Sequence, residues 1–279
     1  MFCAAPALAE ETKLLDIQGD YRHILLVGLD ARPGEDTGRS DVMILLTLDG
    51  EHGALKMTSF LRDLYVPIEG HGENRLNSAW VFGGPELLLD TLEKNFGLRV
   101  ENYVAVDFAL MVDLVDMAGG LEIDITSREQ MALINEKVRD TNEELGLNRD
   151  YGLLTETGRQ ALDGRQVLAY VRYRKTESDF SRTQRQRQVI DLLMAKAGDL
   201  SLLEMARMAA AILSRMRTNL TVSDVLGMVP TALKLRSLQL QQLRIPLDGA
   251  YASRVIDGMD VLVPDLEKAR SSLEGFIAE

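Results

Sequence analysis

The chain contains few of the residues that build disulfides, metal cages or histidine-based active sites. It has one cysteine, Cys3, and three scattered histidines, His23, His52 and His71, among 279 residues. A disulfide framework is therefore excluded, and a zinc site of the cysteine and histidine type is not expected. A Walker phosphate loop, a dinucleotide fingerprint and a Gly-x-Ser-x-Gly nucleophile elbow are also missing from the sequence.

The sequence also lacks a hydrophobic run long enough to span a membrane and lacks an excess of positive charge. Its net charge of −12 argues against a general nucleic-acid-binding protein, so no nucleic acid partner is expected. The first residues end in Ala7-Leu8-Ala9, which is typical of the small-residue end of a secretory signal. We therefore expect residues 1–21 to be a flexible lead-in, the remnant of a signal or anchor, and residues 22–279 to form one domain.

Hydrophobic patterns of the strand and helix types alternate along the chain. Strands are predicted at 23–29, 41–48, 54–61, 103–107, 121–125, 238–246 and 255–264, and helices at 84–95, 108–118, 164–170, 183–216, 221–235 and 265–277. Residues 128–150 are predicted to form a helix or a long insertion. Because no long linker or repeat separates these segments, the sequence predicts one α/β domain, with a central mixed β-sheet and helices on both faces (an α-β-α sandwich).

The most informative segment is a cluster of positive charge in this acidic chain. Residues 172–187 contain six cations, of which five are arginine, and arginine outnumbers lysine by 23 to 8 in the whole sequence. Because the planar guanidinium group binds two phosphate oxygens at once, the segment suggests a site for a concentrated negative charge. A solvated basic surface patch is the alternative.

The local pattern within this segment favours an anion site. Residues 171–174 alternate like a strand, which would place Arg172 and Arg174 on one face. A helix is predicted from Thr183 to Ala197 with Ser181 as its N-cap. Its inward face would carry Arg182, Arg185 and Gln186, whereas Arg187 would be solvated. Anions bind readily at such helix N-termini.

Charged residues also lie at the ends of the predicted strands. The first strand ends at Asp30, with Arg32 two residues later, and the second begins at Arg39 and Asp41. The third ends at Arg62-Asp63, which is either part of a site or a structural ion pair. Asp30 and Asp41 could hold Mg²⁺ that bridges phosphate oxygens, although a strand-end aspartate is often an Asx turn or an arginine partner.

Together these motifs resemble those of the LytR-CpsA-Psr family in order and spacing over about residues 22 to 277. The matching stretches are 24–32, 38–43, 59–63, 75–80, 83–86, 112–113, 120–122 and 162–170, followed by the arginine segment. Four positions depart from the family pattern, namely Leu61, Leu64, Ser178 and Ser181. No charged group is lost at these positions.

The resemblance implies a membrane-anchored phosphotransferase on the outer face of the cytoplasmic membrane of a Gram-positive bacterium. Such an enzyme moves a teichoic acid or capsule-like glycopolymer from a polyprenyl-pyrophosphate carrier to peptidoglycan and forms a phosphodiester. The implied cofactor is Mg²⁺ or Mn²⁺, and the membrane contact would be made through an N-terminal anchor. The prenyl tail is expected in a buried apolar channel that the helices from about 183 to 216 could line, with ordinary core packing as the alternative for most of their residues.

The resemblance also assigns roles to individual residues. Catalysis would involve Asp41, Arg39 and Arg62, with Asp41 as the candidate general base. The metal would be held by Asp30 and Asp41. The expected pyrophosphate-binding residues are Arg39, Arg62, Arg172, Arg174, Arg182 and Gln186, which match the family pattern, and we add Arg32 and Arg185 to them. Two other functions remain open at this point, a non-catalytic protein that binds the lipid carrier or an anionic polymer, and a lipid pyrophosphatase.

Overall fold

A computed structural model describes residues 21–30, 38–50, 53–173, 179–198, 204, 212–213, 215–221, 223–225, 227–228 and 241–279. Its elements, in chain order, are β1 Tyr21–Asp30, β2 Arg39–Asp49, β3 Ala54–Phe60, β4 Tyr65–Ile68, β5 Gly72–Arg75, α1 Ser78–Phe96, β6 Asn102–Val106, α2 Phe108–Met117, β7 Leu121–Ile125, α3 Arg128–Glu144, β8 Gly158–Leu162, α4 Gly164–Arg172, α5 Asp179–Gly198, β9 Arg217–Thr218, β10 Gln241–Ile245, β11 Tyr251–Ile256, β12 Met259–Pro264 and α6 Leu266–Ala278.

Six strands form a central mixed sheet in the order β10-β3-β2-β1-β6-β9. The β1–β2, β2–β3 and β6–β9 pairs are antiparallel, whereas β1–β6 and β10–β3 are parallel. The predicted hairpin connection between the second and third strands is confirmed. The mixed sheet expected from the sequence is therefore present.

Helices cover both faces of this sheet. On one face, Leu25 and Met43 belong to a buried cluster that includes Leu88 of α1 and Leu273 of α6. On the other face, Ile24, Leu48 and Leu55 pack with Met194 of α5. Because side chains alternate along each strand, neighbouring residues supply the two clusters, and the predicted α-β-α arrangement is confirmed.

A third hydrophobic cluster lies beside the sheet and joins α2, α3 and α4 to the antiparallel pair of β7 and β8. We call these five elements the α2–α4 layer. Gly164 allows α4 to approach α2 closely, since a Cβ atom there would lie 2.1 Å from the carbonyl oxygen of Val112. A capping box between Asp163 and Gln166 starts α4. The layer therefore holds α4 firmly against the rest of the domain.

The prediction of a strand at residues 171–174 is wrong for residues 171 and 172, because α4 continues through Arg172. The next residue, Tyr173, has an extended backbone. The capping box and a buried face with Val167, Leu168 and Tyr170 stabilise helix over strand there. The prediction that Ser181 is the N-cap of the next helix is also wrong, because α5 already begins at Asp179. The strand predicted at 255–264 is a hairpin of β11 and β12.

Helix α1 begins at Ser78, earlier than predicted, and bends at Gly83 and Gly84. Gly84 has a φ of 67°, which side chains rarely adopt, so the two glycines separate two helical pieces that pack as one element. Most of the helices predicted for 199–235 lie outside the described residues. Within the described part of the chain, no helix has the length and apolar character to cross a membrane.

Candidate active site

Two arginines from distant parts of the chain meet on one carboxylate. Arg62 Nη1 donates to both oxygens of Asp41 at 2.9 Å. Arg182 Nη2 donates to Asp41 Oδ2 at 3.1 Å and to the Asp41 backbone carbonyl at 3.1 Å. The three side chains are 18%, 21% and 11% exposed, for Asp41, Arg62 and Arg182 respectively. Water therefore reaches this cluster but does not surround it, which strengthens its electrostatic interactions.

The sheet and α5 determine this geometry. Asp41 is the third residue of β2, and Arg62 follows the end of β3, the neighbouring antiparallel strand. The turn that carries Arg62 is fixed at both ends, because Leu61 N donates to Ile245 O and Asn77 N donates to Arg62 O. Arg182 comes from the first turn of α5. Three elements thus fix the positions of the three charged groups.

A second ion pair extends the cluster. Asp63 accepts from Arg62 Nε at 3.4 Å and lies 3.3 Å from Arg75 Nε. Arg75 Nη2 also donates to Asp260 O at 2.6 Å, and Leu262 N donates to Asp63 O. The Arg62-Asp63 ion pair considered from the sequence is therefore present. Arg75 was missed as part of this cluster, although it begins one of the motifs that identify the family.

These groups border a small cleft with a volume of about 20 Å³, which opens to solvent. Its polar lining consists of Asp41, Ser59, Arg62, Asp63, Arg182, Thr183 and Gln186. The structure thus brings together four of the residues selected from the sequence, namely Asp41, Arg62, Arg182 and Gln186. Their roles in binding and catalysis stay predictions.

Asp30 is the last residue of β1, and Arg39 is the first residue of β2. They are register partners in the β1–β2 ladder, and both side chains are exposed. Alternation along β2 places Arg39 on the same face as Asp41, which fits the sequence expectation. Arg32 and Arg174 lie outside the described residues.

Arg172 does not line the cleft. It is the last residue of α4, and its guanidinium donates to both oxygens of Glu144 at 3.0 and 3.2 Å and to Thr141 Oγ1 at 3.2 Å. The same group lies over the Phe108 ring, 4.2 Å from its centroid. The expectation that Arg172 shares one cleft with Arg62 and Arg182 is therefore wrong in this structure, because α3 supplies a carboxylate that binds it within the α2–α4 layer.

Arg185 faces inward as predicted and is 7% exposed. Its Nη2 donates to the carbonyl oxygen of Tyr173 at 2.7 Å, and its guanidinium lies 4.0 Å from the Tyr173 ring centroid. These contacts attach α5 to the end of α4. Whether Arg185 also binds pyrophosphate stays a prediction.

Arg187 is half-buried, so the prediction that it is solvated is wrong. Its Nη1 donates to Gln242 Oε1, while Gln242 Nε2 donates to Asp191 Oδ2. Burial, together with the nearby Arg244 guanidinium, lowers the pKa of Arg187. Burial likewise raises the pKa of Asp191. Helix α5 is linked to the edge strand β10 through these groups.

The cluster could hold a divalent metal through one or two carboxylates, but not through a larger set of protein ligands from the described part of the chain. Within the described residues, no group of three or more carboxylate, histidine or cysteine side chains lies together. From the described residues, Asp41 accepts three of the roughly four hydrogen bonds that a carboxylate can accept. Mg²⁺ in proteins is often held by one or two carboxylates and completes its shell with phosphate oxygens and water. The residues present fit that mode of binding.

Two arginines that meet on one carboxylate, where β2 begins and β3 ends, are suited to a protein that binds phosphorylated ligands. The chain matches the LytR_cpsA_psr family over residues 6–275, and it belongs to that family.

Known relatives agree with this assignment. The chain is 32% identical over 236 residues to "Polyisoprenyl-teichoic acid--peptidoglycan teichoic acid transferase TagT" of Bacillus subtilis (strain 168), which covers 83% of this chain and 70% of TagT. A solved structure described as TagT bound to LIIa-WTA has a TM-score of 0.73 and 25% identity, and the match covers 93% of this chain and 92% of that one.

A further solved structure is described as the family protein YwtF (TagT) with bound octaprenyl pyrophosphate lipid. Its TM-score is 0.69 at 22% identity, with 99% of this chain and 100% of that chain covered. At this identity the likeness shows the shared fold.

Proposed function

We propose that this protein transfers a glycopolymer, such as a teichoic acid, from a polyprenyl-pyrophosphate carrier to peptidoglycan. The observation that carries the proposal is the convergence of Arg62 and Arg182 on Asp41 at the cleft, in a member of this family. The related TagT is named for this reaction. By the same relationship we propose that it acts at the outer surface of a Gram-positive-type bacterium, held at the membrane by an N-terminal anchor.

The proposed reaction replaces one phosphorus–oxygen bond by another. A hydroxyl oxygen of a peptidoglycan sugar, proposed to be the C6 hydroxyl of N-acetylmuramic acid, bonds to the phosphorus that carries the glycan. The bond from this phosphorus to the bridging oxygen breaks, and polyprenyl phosphate leaves. The hydroxyl proton passes to a base, for which Asp41 is the candidate.

Arg62 and Arg182 are proposed to bind the pyrophosphate oxygens. Phosphoryl transfer depends mostly on positioning and on stabilising charge that develops on the equatorial and leaving oxygens. Two guanidinium groups fixed by β3 and α5 supply both without a large rearrangement. Arg39 and Gln186, together with Arg32 and Arg174, are proposed to assist them.

Entry of the pyrophosphate would change the partners of Asp41. In the structure Asp41 accepts the same N–H groups that a phosphate would accept. When phosphate oxygens take over these donors, the Asp41 carboxylate is released to accept a proton from the acceptor hydroxyl. We propose that Asp41 and Asp30 would also hold Mg²⁺, which supplies charge neutralisation for the phosphate oxygens.

The function can be tested with a synthetic lipid-linked pyrophosphoryl sugar, Mg²⁺ and peptidoglycan fragments, followed by mass spectrometry of the products. Transfer predicts a peptidoglycan fragment that carries the sugar phosphate. Release of free sugar phosphate instead would identify a pyrophosphatase. Binding without either product would identify a lipid-carrier-binding protein.

A further inference from the structure

One buried hydroxyl in the lining of the cleft has no hydrogen-bond partner among the described residues. Ser59 lies in β3, is 1% exposed, and lines the cleft together with Arg62, Arg182 and Gln186. Within the described part of the chain, its Oγ makes no hydrogen bond. Buried polar atoms almost always have partners, because an unsatisfied one loses its hydration without compensation. Such an exception in a cleft lined by two arginines calls for a functional reason.

The surroundings of Ser59 explain why the protein itself does not satisfy the hydroxyl. Its register partners are Ile44 on β2 and Arg244 on β10. Ile44 is apolar, and Arg244 donates to Asp248 and to the Pro246 carbonyl. Among the described residues, these two neighbours leave the cleft that Ser59 lines as the side from which a partner can reach its hydroxyl.

A second buried serine shows that this sheet can satisfy a hydroxyl. Ser40 in β2 is 0% exposed, and its Oγ donates to the Asn77 carbonyl at 3.4 Å and lies 3.6 Å from Met43 Sδ. Ser40 is not among the residues that line the cleft. The two serines are thus almost equally buried but differ in hydrogen bonding and in access to the cleft, which makes Ser40 a matched control.

We propose that Ser59 is a further head-group-binding residue, whose Oγ–H donates to a non-bridging oxygen of the diphosphate bound by Arg62 and Arg182. This inference rests on the proposed function. Phosphate oxygens are hydrogen-bond acceptors, and the hydroxyl can supply the neutral donor that complements two cationic ones. Its unmet hydrogen bond in the free protein is completed only by the ligand.

The test compares Ser59→Ala, Ser59→Cys and Ser40→Ala with the unaltered protein. Affinity for inorganic pyrophosphate and for farnesyl pyrophosphate is measured by calorimetry, and the melting temperature is measured without ligand. Both Ser59 variants should bind each probe about tenfold more weakly, or about 1.4 kcal/mol. Their melting temperatures should be equal to or above that of the unaltered protein, since no internal hydrogen bond is lost. Ser40→Ala should melt earlier and bind both probes normally.

Each other outcome is informative. Normal binding by both Ser59 variants, with weakened binding by Arg62→Gln, would overturn the role of Ser59 and leave the proposed function standing. A fall in melting temperature for both Ser59 variants would also overturn it, because the hydroxyl would then have a partner within the protein. If the unaltered protein binds neither probe, the proposed function fails, and this inference fails with it.

Discussion

The arginines of the cleft and those of the α2–α4 layer are held in different ways. At the cleft, Arg62 and Arg182 share the carboxylate of Asp41. In the layer and at its junction with α5, each arginine has partners of its own and an aromatic ring. Arg165 pairs with Asp163 beside Tyr151, Arg172 with Glu144 beside Phe108, and Arg185 donates to the Tyr173 carbonyl while lying over the Tyr173 ring.

This difference separates ligand binding from fold stability. A guanidinium that donates to groups of the protein and lies over an aromatic ring already has its binding partners, so it stabilises the packing around it. Two guanidinium groups that share one carboxylate beside an opening can exchange that carboxylate for a doubly charged ligand. Substitutions should therefore affect activity in the first region and stability in the second.

The largest effect is expected for Asp41→Asn. It should abolish transfer but leave affinity for the lipid carrier within about tenfold, or about 1.4 kcal/mol, because both arginines remain. Asp30→Asn should instead weaken the dependence on Mg²⁺. Lipid affinity and turnover measured for both variants across a Mg²⁺ titration test this. Full activity of Asp41→Asn would exclude it as the base and leave positioning by arginine as the main mechanism.

Arg62→Gln and Arg182→Gln should each lower turnover by about 10²–10³-fold, the usual cost of removing one group that stabilises a charged transition state. The control is Arg159→Gln, since Arg159 is 75% exposed and pairs with Glu122 at the surface. Turnover with the lipid-linked substrate and thermal denaturation are measured for all three. Equal losses in the control would show that total charge, not the cleft, determines the activity.

Arg172→Met should lower the free energy of unfolding by about 1–3 kcal/mol, because it leaves Glu144 without its charged partner. Pyrophosphate affinity should change little. A double-mutant cycle with Glu144→Gln, followed by chemical denaturation, isolates the pair. Unchanged stability combined with tenfold weaker pyrophosphate binding would place Arg172 among the ligand-binding arginines, as the family resemblance implies, and would end the distinction between the two regions.

The last effect appears only when the pH is lowered, in a part of the sheet outside both arginine regions. Burial lowers the pKa of His23 from 6.5 to about 4, and its Nδ1 lies 3.0 Å from Thr47 Oγ1. Between these values the unfolded chain binds a proton that the folded protein does not, so stability falls as the pH drops from 6.5 to 4. The slope cannot exceed about 1.4 kcal/mol per pH unit for one group. His23→Gln should flatten this slope in denaturation curves, whereas pyrophosphate-cleft variants should leave it unchanged.

Much of the fold could be predicted from the sequence because local patterns determine it. The central strands follow from apolar runs such as 23–29, and α2 ends near the predicted Gly119-Gly120. The end of α4 was predicted too early, because residues 171–174 alternate in the way that strands do. The capping box at the start of α4 and the contacts in the α2–α4 layer favour helix instead. Such competition between local and tertiary preferences is decided by packing.

For the site, the sequence shows which charged residues are present and predicts Asp41, Arg62 and Arg182 near the ends of elements. Which of the arginines meet depends on how the chain folds. Arg172 and Arg182 are ten positions apart, yet one pairs with Glu144 in α3 and the other with Asp41 in β2. A guanidinium binds the carboxylate that folding brings within about 3 Å. That distance depends on how the sheet, α4 and α5 pack against one another, and no short stretch of sequence specifies this packing.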